Sequence, residues 1–378
     1  MADDYKSQFN YDKNGETAQT DVTNSTEDLN SENFRQFDTR GVTAEKGFAS
    51  VEKFYNLPSF KCCQEKLEIK KTARMIGLSV NIMLAISYVW SFVYIFVMTL
   101  NGYTLSEIRK FISEPAIMQV FQIVLSSFMF TVPFILVYKC FGQRISDLVL
   151  LGPPKKGRAL PFFLFGISFC AFANIAVSQA NSFFERFGFE YEVDFGENPK
   201  GIFGFLLCFI STVAVPAFVE EFACRGLILG ALRKYGNGFA IICSSVIFGL
   251  MHGNFEQIPF AFLVGLVLGY VYVQTDTLWI SVGIHAFNNF ISLFFDFVME
   301  DLPVGIQNSA YVIFITFCLL AGIFAVVLFS KQDGDYYRLA KVETANNDKK
   351  KYVYFFTTVL IIVFTVFSLI AACSYFII

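Results

Sequence analysis

Residues 201–234 read GIFGFLLCFISTVAVPAFVEEFACRGLILGALRK, an apolar stretch that two adjacent glutamates and Arg225 interrupt before it ends at Arg233 and Lys234. The stretch is longer than the roughly 20 apolar residues that a helix needs to cross a bilayer. Glu220, Glu221 and Arg225 therefore fall at membrane depth, where ionisable side chains are costly and face a bundle interior or a wet cavity. This stretch predicts a transmembrane helix that carries a functional site.

The rest of the chain has the composition of a membrane protein. Of its 378 residues, 55% are hydrophobic and only 16% are charged, which is not typical of soluble globular domains. Apolar runs that reach or approach the length of a bilayer span lie at 77–100, 116–138, 159–183, 201–219, 239–251, 258–273, 278–298, 306–330 and 352–378. We therefore predict an all-α fold, a polytopic transmembrane helical bundle with about eight to nine spans.

Composition also divides the chain into regions. Residues 1–60 are polar and acidic and cannot bury enough apolar surface to offset the entropy of ordering, so we predict a disordered cytoplasmic tail. Residues 61–200 and 299–378 are predicted to form transmembrane helices on either side of a central region, 201–298. A cytoplasmic N-terminus, in a multi-pass protein of the cell membrane, is predicted from the bases before the first span, which are Lys61, Lys66, Lys70, Lys71 and Arg74.

The chain contains only two histidines, and both lie in apolar segments of the central region. His252 belongs to VIFGLMHGNF and His285 to SVGIHAFNNF. A buried histidine is ordinarily a satisfied core residue, but the cost of an ionisable group inside a membrane favours a functional role for this pair. Residues four apart share a helix face, so Asn289 is expected beside His285 and the ring of Phe248 beside His252.

Spacing also separates the two glutamates. Glu221 and Arg225 are four residues apart, so they lie on one helix face and can form an ion pair. Glu220 then points about 100° away from that face and is the carboxylate left for chemistry. Counted along straight helices from the cytoplasmic surface, Glu220 lies about 20 Å deep, His252 about 21 Å and His285 about 12 Å. A common cavity is compatible with these depths if the helices tilt.

These residue types are sufficient for amide hydrolysis without a nucleophilic side chain. A glutamate and a histidine close together can bind and deprotonate a water molecule. A further histidine and an asparagine can donate hydrogen bonds to the oxygen that becomes negative when the water adds to a carbonyl. The rival is metal chemistry, since Glu220, His252 and His285 match a set of two histidines and one glutamate for zinc. The sequence contains no HExxH motif to favour it, nor any CxxC pair for a cysteine-built zinc site.

Three short motifs resemble one family. EEFACR, FGLMH and HAFNN are similar to the EExxxR, FxxxH and HxxxN motifs of the CPBP (Abi) family of intramembrane glutamic endopeptidases, in the same order. The resemblance covers the central region and implies a bundle of about eight helices with a cavity open to cytoplasm and lipid. By resemblance, Glu220 and His252 activate water. His285 and Asn289 form the oxyanion site, and Glu221 and Arg225 hold the catalytic helix.

The resemblance implies a CAAX-type intramembrane endopeptidase, with either CAAX processing or leader and bacteriocin processing as its task. Expected partners are membrane lipid and a peptide or lipidated protein substrate, with no nucleic acid. No cofactor is expected, and zinc or another divalent metal stays open as the alternative. A catalytically silent immunity or scaffold protein of the same family is the second hypothesis. A transporter ranks lower, because no pair of interrupted spans recurs in matching positions of two halves.

Overall fold

The computed structural model describes residues 57–187, 198–299 and 302–374. Every regular element within these ranges is helical, so the all-α prediction is confirmed. Of the tail predicted over residues 1–60, residues 1–56 lie outside the described residues, and the first helix already begins at Pro58.

The helices follow one another with short connections. In chain order they are α1 (Pro58–Leu100), α2 (Leu105–Ile112), α3 (Pro115–Cys140), α4 (Ala159–Glu185), α5 (Gly201–Tyr235), α6 (Asn237–Met251), α7 (Gln257–Thr275), α8 (Leu278–Phe294), α9 (Val304–Ser330), α10 (Asp348–Phe356) and α11 (Val359–Cys373). A short helix, Ile145–Leu148, precedes α4, and a π-helical turn, Phe295–Met299, extends α8.

The number of membrane spans agrees with about eight rather than nine. In the described part of the chain, seven helices are long and apolar enough to cross a bilayer by themselves. An eighth span results if α10 and α11 count together, although the chain bends by 71° between them. Helix α6 has 15 residues and rises about 22 Å, which is short of the roughly 30 Å hydrocarbon core. The run at 239–251 therefore does not make a full span.

Helix α5 is continuous from end to end but irregular inside. Two π-helical segments, Phe209–Ala214 and Phe222–Leu229, flank a regular segment that ends at Glu221. π-Helical turns inside α-helices are frequent at functional sites. The irregular part of this helix is therefore the part that carries the predicted charges.

Helices α6 and α7 form the centre of the bundle. They pack against each other as an antiparallel pair, with α5 on one side and α4 on the other. Their close approach requires a small residue, because a Cβ added to Gly265 would lie only 3.0 Å from the Cβ of Ser245. Helix α9 packs on α4, and α1 packs on α3 and on α10–α11. The turn between α6 and α7 is partly buried, with Asn254 covered and Glu256 exposed.

One polar cluster joins the ends of α5 and α7 at one side of the bundle. Asp276 adopts the left-handed conformation at the end of α7, with φ of 50°. Its carboxylate oxygens lie 2.6 Å from the Lys155 ammonium and 3.0 Å from the Arg233 guanidinium. Burial alone would raise the pKa of the Asp276 carboxyl, but hydrogen bonds from Lys155 and Arg233 lower it below its ordinary value of 3.8. Charge pairing therefore links the ends of α5 and α7 to the loop before α4.

Candidate active site

A fully buried ion pair lies at the centre of the site. The guanidinium of Arg225 donates to Oε1 of Glu221 over 2.7 Å, and both side chains have no exposed surface. The guanidinium also lies 4.2 Å from the ring centroid of Phe248 and donates to the carbonyl of Gly265 over 3.4 Å. The pair expected from the spacing on α5 is therefore present, and it connects α5 to α6 and α7.

His285, on α8, lies between the two glutamates. Its Nδ1 is 3.0 Å from Oε1 of Glu221, and its Nε2 is 3.9 Å from Oε2 of Glu220. The count along the helices placed His285 shallower than Glu220 and left tilt open as a way to bring them together, and here their side chains are neighbours. The histidine is only 6% exposed. Carboxylates and imidazole thus meet across the α5–α8 contact.

His252 lies at the point where α6 ends. It follows the last helical residue as the cap, and its Nδ1 is 2.9 Å from the carbonyl oxygen of Phe248. A carbonyl oxygen only accepts hydrogen bonds, so Nδ1 carries the hydrogen and Nε2 keeps its lone pair. The ring of Phe248 meets both imidazoles edge to face, with centroids 5.1 Å from His252 and 5.9 Å from His285. Phe248 therefore connects the two histidines.

A cavity of about 560 Å³ opens beside these groups. Glu220 and His252 both line it, together with Phe248 and with Gln257 at the start of α7. Oε2 of Glu220 is buried and has no hydrogen-bond partner among the described residues. The glutamate that the spacing left for chemistry therefore borders the cavity and has one buried, unpaired carboxylate oxygen.

The far wall of the cavity comes from helices that sequence reasoning did not connect with the site. Trp90 and Tyr94 of α1 contact Phe121 of α3 edge to face, and all three rings line the cavity. Such aromatic residues are abundant in every span, so no signal in the sequence distinguishes these three. The second half of α1 otherwise exposes large apolar side chains, such as Phe92 and Phe96, to the surroundings of the bundle. The cavity wall is thus also a lipid-facing edge.

The side chain of Asn289 binds the backbone of α5 and does not line the cavity. Its Nδ2 donates to the carbonyl oxygen of Thr212 over 3.0 Å, and neither Asn289 nor His285 is among the residues that line the cavity. In an α-helical pattern the Thr212 carbonyl would pair with the backbone nitrogen of residue 216, and Pro216 has no N–H there. Thr212 lies in the π-helical segment of α5, where the side chain of Asn289 supplies a donor to this carbonyl.

Glu220, His252 and His285, which the sequence offered as a zinc-binding set, do not form a group placed to hold a metal ion. Across residues 57–187, 198–299 and 302–374, no group of three His, Cys, Asp or Glu side chains is placed to hold a metal ion.

The fold and the site define a multi-pass helical membrane protein whose buried carboxylates, imidazoles and arginine meet beside a cavity. Residues 202–291, which include all seven residues of the three motifs discussed above, match the family described as type II CAAX prenyl endopeptidase Rce1-like. The protein named "Putative membrane peptidase YdiL" of Bacillus subtilis (strain 168) is 31% identical over 85 residues. That match covers 22% of this chain and 34% of the relative, so the chain matches about a third of the relative's length. No solved structure matches significantly. The family match over residues 202–291 and the similarity to this relative confirm, for the central segment, the resemblance drawn from the motifs.

Proposed function

We propose that this protein is an intramembrane endopeptidase that hydrolyses peptide bonds near the membrane with a water molecule activated by Glu220 and His252. The observation that carries the proposal is that both side chains line one cavity at the depth of the transmembrane helices. The match to an endopeptidase family over residues 202–291 supports a hydrolase of this kind.

The proposed chemistry follows from the hydrogen-bond partners of His252 and Glu220. His252 has its Nδ1 hydrogen engaged by the Phe248 carbonyl, so Nε2 is the nitrogen that can accept a proton from water. Glu220 presents a carboxylate oxygen that no described residue satisfies. A carboxylate and an imidazole together can orient a water molecule and remove its proton as it adds to a carbonyl carbon. The lining is mostly apolar, and such surroundings strengthen the interactions of the charges that develop during this step.

The substrate is proposed to enter from the lipid-facing edge between α1 and α3. The wall there is aromatic and aliphatic, which suits an apolar peptide segment or a lipidated protein. The family suggests two tasks, CAAX-type processing and leader or bacteriocin processing. Both act on a substrate of this kind at the membrane.

The test compares membrane peptides from cells that carry the native chain with those from cells that carry Glu220→Gln, followed by cleavage assays with the purified protein. Loss of the general base lowers turnover by about 10²–10⁴-fold. Glu256→Gln is the matched control, because Glu256 lies in the turn after His252 but is exposed and does not line the cavity.

Unchanged cleavage by Glu220→Gln would overturn the proposal. Full biological complementation by an inactive Glu220→Gln variant would favour the catalytically silent immunity or scaffold role instead. The proposed chemistry needs no cofactor, so turnover should persist after chelation with EDTA. Loss of turnover that added zinc restores would establish the metal alternative.

A further inference from the structure

The turn that follows His252 is held by the side chain of Asn254, which is buried. Oδ1 of Asn254 accepts from the backbone N–H of Gln257 over 2.8 Å, and its Nδ2 donates to the backbone carbonyl of His252 over 3.2 Å. A backbone N–H can only donate and a backbone carbonyl can only accept, so these two contacts determine which atom of the Asn254 amide is the oxygen. The Asn254 side chain therefore has one defined orientation.

This orientation in turn defines that of the Gln257 amide. Nδ2 of Asn254 also donates to Oε1 of Gln257 over 3.1 Å, a contact in which an amide nitrogen could not accept. The oxygen of Gln257 is therefore directed to Asn254, and the N–H groups at Nε2 have no acceptor among the described residues. Gln257 is half-buried and lines the cavity together with Glu220 and His252. An oriented hydrogen-bond donor thus lies in the wall of the proposed active site.

A peptide that is cleaved inside a membrane protein needs such a donor. A helical segment satisfies its own carbonyl groups, whereas a segment that is extended around the cleaved bond loses those internal hydrogen bonds. The lining of the cavity is mostly apolar, so a substrate carbonyl without a partner is costly there. A carbonyl oxygen is an acceptor, which is the kind of partner that Nε2 of Gln257 lacks.

We propose that Nε2 of Gln257 donates a hydrogen bond to the main-chain carbonyl next to the cleaved bond of the substrate, an inference that rests on the proposed function. This carbonyl does not react, so the contact is equally strong in the bound substrate and in the transition state. Gln257 is then a substrate-binding residue that sets the register of the peptide against Glu220 and His252. Asn254 is a positioning residue, because it acts through the orientation of the Gln257 amide.

The first experiment reverses the donor. Gln257→Glu keeps the size of the side chain and an oxygen for Asn254, but it replaces the remaining donor with an acceptor. The probe is a synthetic peptide that spans the cleavage site found by the comparison of membrane peptides. Its Kd is measured by isothermal titration calorimetry in detergent micelles with protein that carries Glu220→Gln, so that cleavage does not interfere. We expect Gln257→Glu to raise this Kd by about 10–100-fold.

Turnover separates binding from a structural effect. With Glu220 intact, Gln257→Glu should raise KM by the same factor and change kcat by less than about threefold, because uniform binding is lost. Retained kcat shows at the same time that the variant is folded. The matched control is Gln332→Glu, which makes the same change at an exposed position outside the cavity and should leave Kd and KM unchanged.

The second experiment identifies the substrate carbonyl and the role of Asn254. A thioamide next to the cleaved bond accepts hydrogen bonds more weakly than an amide, so it should weaken binding to the native Gln257 side chain but not to Gln257→Leu. Asn254→Asp cannot donate, so the Gln257 amide reverses in order to donate to it. This variant should raise Kd when Gln257 is present and have little effect when it is combined with Gln257→Leu.

Wild-type Kd and KM in Gln257→Glu would overturn the inference. A fall in kcat at constant KM would also overturn it, because the donor would then act on the reacting carbonyl or on the position of His252. Equal responses of the native chain and Gln257→Leu to every thioamide would do the same. If Glu220→Gln retains wild-type cleavage, the proposed function fails, whereas an inactive Glu220→Gln with unaltered binding by Gln257→Glu defeats this inference alone.

Discussion

Replacement of Arg225 by methionine is the perturbation whose cost the structure defines best. Methionine preserves much of the apolar volume and removes the charge. It leaves the carboxylate of Glu221 with no exposed surface and without the cation 2.7 Å away. An uncompensated buried charge of this kind costs about 3–5 kcal/mol of folding free energy. The contact of the guanidinium with the Phe248 ring, 4.2 Å from its centroid, is lost as well.

A double variant separates the charge from the packing. Glu221→Leu combined with Arg225→Met removes both charges, and replacement of a buried pair by apolar residues is often nearly neutral. One cost remains, because Nδ1 of His285 loses its acceptor, and a buried donor without a partner costs about 1–3 kcal/mol. The double variant should therefore be more stable than Arg225→Met alone, although it lacks one more polar group.

The assay is unfolding of the purified protein by SDS in mixed micelles, followed by circular dichroism. The control is Lys234→Met, which removes an exposed pair with Glu68 at 3.6 Å and should change the unfolding free energy by less than about 1 kcal/mol. The reasoning fails if Arg225→Met is as stable as this control. It also fails if the double variant is less stable than the single one, since an uncompensated charge would then not be the cause.

Three further predictions concern other parts of the fold. Asp276→Asn keeps a residue type that tolerates the left-handed backbone but loses both ion pairs, so the melting temperature at neutral pH should fall by the equivalent of about 0.2–1 kcal/mol per pair. The pKa of Asp276 is lowered in the folded state, so the carboxylate stabilises the protein above the unfolded value. The difference from Asn should disappear as pH falls below about 3.8, and a constant difference across that range would contradict this. Phe121→Ala opens the cavity wall and should raise KM with little change in kcat, whereas Phe128→Ala, on an exposed part of the same helix, should leave KM unchanged. Asn289→Leu should cost about 1–3 kcal/mol because a backbone carbonyl of α5 loses its donor. Combination with Pro216→Ala, which restores the missing N–H, should recover part of that cost, and no recovery would show that the proline is not the reason for the contact.

Pairs within one helix could be predicted because the helix repeat places residues four apart on the same face. The contact between Glu221 and Arg225 and the packing of Phe248 beside His252 both follow from this local rule. This rule gives no information about distances between residues on different helices. Depths counted along single helices differ for His285 and Glu220, and only the crossing of α5 and α8 brings their side chains together.

The sequence by itself determined the membrane class, the positions of most spans and the set of ionisable residues that had to be buried together. These depend on composition and local periodicity, and every buried charge needs a partner wherever the chain places it. Only the tertiary structure decided that His285 lies between the two glutamates, that Asn289 binds the Thr212 carbonyl and that α1 and α3 form the cavity wall. The physical reason is that helix tilt, the end of α6 at His252 and the bend between α10 and α11 result from packing among residues far apart in the chain.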